Sequence, residues 1–377
     1  MQQQVARSLS KTKEHQSETI LPSTNYQVFE MTYRFISTER GTPSGNRAET
    51  CALLHMMCFA PERDEIDLFA IDCFNDVTGM DNSCNTLHDV QSKGETKITP
   101  AKLGEYLATL FENRASEFSK YFDTLTLFVG GVSPTTLENP TLTEFRFQQL
   151  KPKSQASVRE HLIEACKKRH NDIPDGLIDD DAIDDFLSCV RFVVAKKDET
   201  EYIRALAHNS SALLTDKRTL LGIFGAIRDQ QSSLKNRAGI AGRAIDRPDA
   251  VMDFGRTMST RQIRLLVIQR LLNMSFLTEE SPDNFRPYLN SLPPEMRIED
   301  VEEDCRNELC LQYFDKNNLA AFWHLLDEIV DIIQDDPKAD IQQIYSKIGE
   351  GTLASCTQLT RRSHLYFIAT IKDGLRP

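Results

Sequence analysis

The stretch Glu65–Gly94, EIDLFAIDCFNDVTGMDNSCNTLHDVQSKG, decides how this chain is read. Residues from about Asp67 to Val77 are rich in Ile, Leu, Phe and Val, which predicts a strand. A shorter, alternating run from about Thr86 to Lys93 predicts a second. In Asp89-Val90-Gln91-Ser92-Lys93 the strand period of two sets Asp89, Gln91 and Lys93 on one face and Val90 and Ser92 on the other. Asp76, near the end of the first strand, then meets an amide and an ammonium carried by the second. Such a meeting supplies two oxygen ligands for a hard divalent cation, with a positive charge beside them.

Upstream, residues 1–24 are polar and predict a flexible tail. Asn25–Ser37 has strand character, and GTPSG at 41–45 is a loop. A helix is expected from Asn46, with Ala48, Cys51, Ala52 and Leu54 at helical spacing and Glu49 on its first turn; Pro61 lies past its end. Downstream, Thr99-Pro100 opens a helix over 100–118, with Thr99 as N-cap and Pro100 at the first position. LTLFV at 125–129, closed by Gly130-Gly131, is a buried strand. A helix spans about Gln155–His170, the acidic run Asp179–Asp185 starts another, and FLSCVRFVVA at 186–195 predicts a strand. This alternation describes an α/β layer with a mixed sheet.

Beyond about Leu213 the pattern is essentially helical. Arg261–Met274 is amphipathic, and Leu319–Gln334 is apolar around much of its circumference, so it is buried or packed on a partner. The expected organisation is therefore a tail (1–24), an α/β domain (25–212) and an all-α domain (213–377).

Composition narrows the class. With 377 residues, 40% hydrophobic and 27% charged, the chain resembles an ordinary globular protein. No run approaches the ~18 apolar residues of a membrane span. The N-terminus lacks a secretory core, so a cytoplasmic location is expected. Nine cysteines occur as singles, without a disulfide framework. Cys51, Cys58, Cys73 and Cys84, near His55 and His88, are better read as core thiols than as a zinc site. A net charge of −12 argues against a general nucleic-acid coat and leaves room for local basic patches. There is no GxxxxGK[ST] loop, so ATP hydrolysis is not expected.

A helix-borne Glu49, a strand Asp76 and Gln91-x-Lys93 on the next strand resemble the PD-(D/E)xK nuclease superfamily. That resemblance implies a restriction-endonuclease-like mixed sheet flanked by helices. It also implies Mg2+ or Mn2+ held by Asp76, Gln91 and Glu49, with Lys93 beside the nucleophile. PAKLGEYLATLFEN, LTLFVGG and DDFLSCVRFVVAKKD are similar to the double-stranded-DNA endonuclease domain of CBASS effectors. More closely, they resemble the nuclease subunit of Lamassu anti-phage systems, whose helical C-terminal region docks on an SMC-like ATPase. The resemblance covers most of 45–210. It implies DNA cleavage restrained by that ATPase and a small third subunit, with self-association on activation. DNA contact would come from Arg47, Lys97, Lys102, Lys168 and Arg169. Two alternatives stay open: a catalytically silent assembly subunit, suggested by Gln91 in place of an acid, and a nuclease gated by a nucleotide second messenger.

Overall fold

Apolar runs of period two give way repeatedly to runs of period 3.6, and the chain folds accordingly into strands and helices. The computed structural model describes residues 32–35, 43–169, 178–208, 216–236, 239–272, 281–315 and 317–375. The expected tail lies outside these residues, and so does most of the expected strand at 25–37; Tyr33–Arg34 is strand β1. Helix α1 runs Pro43–Cys58, three residues longer at its start than expected, so Glu49 sits in its second turn and not its first. Its buried side chains include Cys51, Leu53, Leu54, Met56 and Met57.

The single strand expected over Asp67–Val77 is two. β2 (Leu68–Ile71) and β3 (Val77–Met80) form an antiparallel hairpin with Ile71 opposite Val77. Asp72 turns the chain with φ of 52°, and its N–H donates to the Asp76 carbonyl at 3.0 Å. An aspartate tolerates this left-handed conformation better than most residues, so the turn forms without glycine. β4 (Leu87–Lys93) pairs antiparallel with β3, Val77 facing Val90 and Thr78 facing Asp89.

α2 (Pro100–Tyr106) begins with Thr99 accepting from the Lys102 N–H and Pro100 in the first position. The expected continuous helix is interrupted at Leu107, whose N–H is shared between the Leu103 and Gly104 carbonyls, and resumes as α3 (Ala108–Ala115). β5 (Phe122–Val129) lies parallel to β4, β6 is Glu144–Arg146, and α4 is Pro152–Lys168. The acidic run does start a helix: Asp179 caps α5 (Asp180–Cys189). That helix takes Phe186 and Leu187 into its buried face, so the strand expected from 186 shortens to β7 (Arg191–Val194).

α6 (Glu199–Leu206) and α7 (Lys217–Lys235) follow. The reading of residues beyond 213 as only helical is then corrected by two short strands. β8 (Ala244–Ile245) pairs with β1, and β9 (Thr257–Ser259) adds to the edge of β2. Strands of two or three residues are too short to show a period. The rest is helical: α8 (Thr260–Leu272), α9 (Arg286–Leu289), α10 (Ile298–Phe314), α11 (Leu319–Asp335), α12 (Ile341–Lys347), α13 (Glu350–Ser355) and α14 (Arg361–Gly374). No described helix is long and apolar enough to cross a membrane.

The main sheet has seven strands in the order β6-β7-β5-β4-β3-β2-β9. Its parallel pairs are β4–β5 and β5–β7; the rest are antiparallel. Phe69, Ile71, Val77, Val90 and Phe128 face α1 and join a core that continues through α7, α8, α10, α11 and α14. Leu68, Ala70, Met80, Leu87, Leu125 and Leu127 face α2–α5 in a second core. α11 buries Phe322, Trp323, Leu325, Leu326, Ile329 and Val330 within this chain, which accounts for its apolar circumference. The boundary expected near 212 falls outside the described residues.

Candidate functional site

Four strand ends meet at one edge of the sheet. β4 finishes there with Gln91 and Lys93, β2 finishes at Ile71, β3 begins after Asp76, and Arg256 precedes β9. Side chains at the carboxyl ends of parallel strands project into open space, where ligands bind α/β sheets. The register places Asp76 across from Gln91, and the period of two places Lys93 on the face of Gln91. The Asp76 carboxylate, bonded to Gln91 on that face and to Ser92 on the other, sits at the strand end between the two.

Asp76 is held tightly. Its Oδ2 accepts from Gln91 Nε2 at 2.8 Å, from the Ser92 N–H at 2.7 Å and from Ser92 Oγ at 2.8 Å. Gln91 turns its carbonyl oxygen toward Thr109 on α3, which donates to it at 3.0 Å. Asp89, fully buried two residues before Gln91, accepts from Thr78 Oγ1 at 2.7 Å and from the side-chain amides of Asn75 at 2.5 Å and Asn113 at 2.7 Å. Burial outweighs these three donors and raises Asp89 to about 6.

Glu49 approaches from α1. Its Oε1 accepts from the Lys235 ammonium, at the end of α7, at 2.8 Å. Lys235 also lies 3.8 Å from Asp72 Oδ1, and Arg256 bonds Asp72 through its carboxylate at 2.8 Å and its carbonyl at 3.2 Å. Burial, with the Asp76 charge next, pushes Glu49 up to about 7 against the pull of Lys235. Burial likewise lifts Asp72 to about 6. Burial acts on Lys235 in the opposite sense, but Glu49, Asp72 and Asp76 together hold it above the usual lysine range. The lysine stays charged while Glu49 sits at the edge of protonation.

Lys93 is half-buried, its ammonium 5.3 Å from the centre of the Tyr106 ring. No ion pair or hydrogen bond joins it to Asp76 among the described residues. Of the basic candidates, Arg169 reaches the site: it pairs with Glu112 and shares with Asp72, Asp76 and Gln91 the wall of a cavity of about 100 Å³. Lys102 is paired with Glu95 at 2.8 Å and Arg47 with Glu199 at 2.5 Å, while Lys97 and Lys168 are exposed. Cys51, Cys58 and Cys73 are free thiols that burial raises to about 11, 12 and 12.

The donors present suit a hard divalent cation. Asp76 Oδ1 and Glu49 Oε2 receive no hydrogen bond from the described residues. Turning the Gln91 amide over would present its oxygen beside Asp76 and leave its NH2 to Thr109 Oγ1, which accepts as readily as it donates. Among the described residues no three His, Cys, Asp or Glu side chains are gathered closely enough to hold a metal by themselves. A cation held here would need a further ligand beside the carboxylates, and in the orientation present Gln91 turns its NH2 toward Asp76. The sequence reading missed Lys235 and Arg256, because 186 and 184 residues separate them from their partners Glu49 and Asp72. No family model, curated protein or solved structure matches this chain.

Proposed function

We propose that this chain is a metal-dependent endonuclease that hydrolyses phosphodiesters in double-stranded DNA. The observation that carries the reading is the Asp76–Gln91 contact across β3 and β4, at the sheet end that Lys93 shares. The order helix, three-strand antiparallel meander, helix and parallel strand supports a restriction-endonuclease-like core. Asp76, Gln91 and Glu49 would hold Mg2+ or Mn2+, and the Ser92 N–H and hydroxyl fix the orientation of Asp76. A divalent ion held there would supply Lewis acidity toward the phosphate and the attacking water. Lys93, steadied over Tyr106, supplies positive charge where negative charge grows on the phosphorus oxygens. Arg169 provides a cation on the cavity wall for the DNA backbone.

By its resemblance to Lamassu nuclease subunits, the chain acts as a defence effector restrained by an SMC-like ATPase and a small third subunit. That extension rests on the resemblance.

One observation favours the silent-subunit reading: Lys235 and Arg256 already place protein cations against Glu49 and Asp72. Plasmid cleavage with Mg2+ or Mn2+, with and without chelator, tests the matter. Asp76→Ala and Lys93→Ala should each raise the barrier by about 3–5 kcal/mol, two to four powers of ten in rate. Cleavage that survives chelator removes the metal dependence, cleavage that survives both substitutions removes this site, and no cleavage by wild type favours the silent subunit.

A further inference from the structure

The ion pair between α1 and α7 is an expensive way to join two helices. Lys235 and Glu49 have side chains only 7% and 8% exposed, and withdrawing both charges from water costs about as much as their attraction returns. Hydrophobic side chains would hold the helices at least as well. What makes the lysine necessary is the company Glu49 keeps. Asp72 lies 3.8 Å from the same ammonium, and Asp76 adds its charge from the start of β3. Three carboxylates thus face two cations, Lys235 and Arg256, which leaves the cluster one negative charge in excess.

The two cations differ in mobility. Arg256 is 1% exposed and grips both the backbone and the side chain of Asp72, whose left-handed φ it helps to hold. Lys235 ends α7, and a single hydrogen bond to a carboxylate fixes its flexible four-carbon stem. We propose that Lys235 is the resident counter-cation of this site, balancing Glu49 until a divalent metal ion takes its place. The inference rests on the metal-dependent reading and adds regulation to it. In the metal-free site a lysine from α7 offsets part of the carboxylate charge. An incoming ion must work against that lysine, which weakens metal affinity and makes loading of the site sensitive to how α7 is seated.

The test is titration of Mn2+ into the full chain by calorimetry, with thermal melts at each metal concentration, for wild type, Lys235→Met and Lys235→Arg. Lys235→Met should melt lower than wild type without metal. It should bind Mn2+ at least about tenfold more tightly, because a like charge has been removed from beside the ion. Its melting temperature should therefore rise more on metal addition. Lys235→Arg, which keeps the charge, should bind no more tightly than wild type. Equal or weaker binding by Lys235→Met overturns the proposal, as does failure of that variant to fold at saturating Mn2+. If wild type binds and Asp76→Ala does not, the metal reading stands whatever Lys235→Met does. If neither wild type nor Lys235→Met binds, the metal reading falls and takes this inference with it.

Discussion

His55 shows how a single side chain on α1 ties stability to pH. Burial, reinforced by the neighbouring Arg191 guanidinium, lowers it from 6.5 to about 4. The unfolded chain therefore takes up a proton that the folded chain refuses. Stability is present in full above about 6.5 and drains away as pH falls towards 4, on the order of 3 kcal/mol for this group. Glu49, Asp72 and Asp89 act oppositely, since raised carboxyls gain protons on folding and favour the native state as pH falls through about 7 and 6. Comparing wild type with His55→Leu by urea unfolding at neutral pH and near pH 4.5 isolates the histidine. The variant should lose less stability on acidification; an identical loss in both proteins would discard the assignment. At this scale the sequence was informative where chemistry is local. Gln91 and Lys93 share a face because strands have a period of two, and Asp89 was visible in phase with them. Lys235 and Arg256 carry no local pattern, and only the folded chain brings them to Glu49 and Asp72.

Helix α2 depends on a glycine for its approach to α4. A Cβ on Gly104 would lie 2.3 Å from the Val158 carbonyl oxygen and 2.9 Å from the Leu162 nitrogen. Two effects compete in Gly104→Ala: alanine favours the helix by about 1 kcal/mol, whereas overpacking costs about 1–3 kcal/mol. Backbone atoms cannot swing aside as a side-chain tip can, so the clash wins and the variant unfolds at lower urea. A variant as stable as wild type would mean that the helices can part without cost. The same spacing matters to the site, because α3 continues from α2 and delivers Thr109 to Gln91 and Asn113 to Asp89. Most helices and the strands β4 and β5 were legible, their apolar periods being long enough to read. The β2–β3 hairpin was not. Its two strands share one apolar composition, and the turn between them uses Asp72 at positive φ where glycine or proline would have announced it. Phe186 and Leu187 misled for a related reason, since a short apolar run fits the buried face of a helix as well as a strand.

Across the whole molecule, the division expected near 212 meets a core that does not stop there. The α1 side of the sheet packs into one continuous apolar cluster with Ile223, Phe224 and Ile227 of α7, Ile263 and Val267 of α8, and Phe322 and Phe367 beyond. β9 covers the β2 edge, pairing Phe69 with Met258 and Ala70 with Thr257. Tyr313 on α10 donates to the Arg264 carbonyl on α8 at 2.6 Å, tying the later helices to that same edge. A chain ending at residue 212 would leave β2 as an open edge strand and expose the outer surface of α1, a combination that favours aggregation. It would also strip both cations from Glu49 and Asp72, leaving buried carboxylates without partners. Such a fragment should be recovered aggregated or without a cooperative melt, and added Mn2+ should not rescue it, because one ion cannot replace the missing packing. The check is size-exclusion chromatography and thermal unfolding of residues 25–212 beside the full chain. A monomeric fragment with a sharp transition would establish that the sheet and its first helices fold alone. The helical half would then be an appended module, and the coupling between Lys235 and the metal site would be a contact between domains, where a docking partner has direct leverage on it.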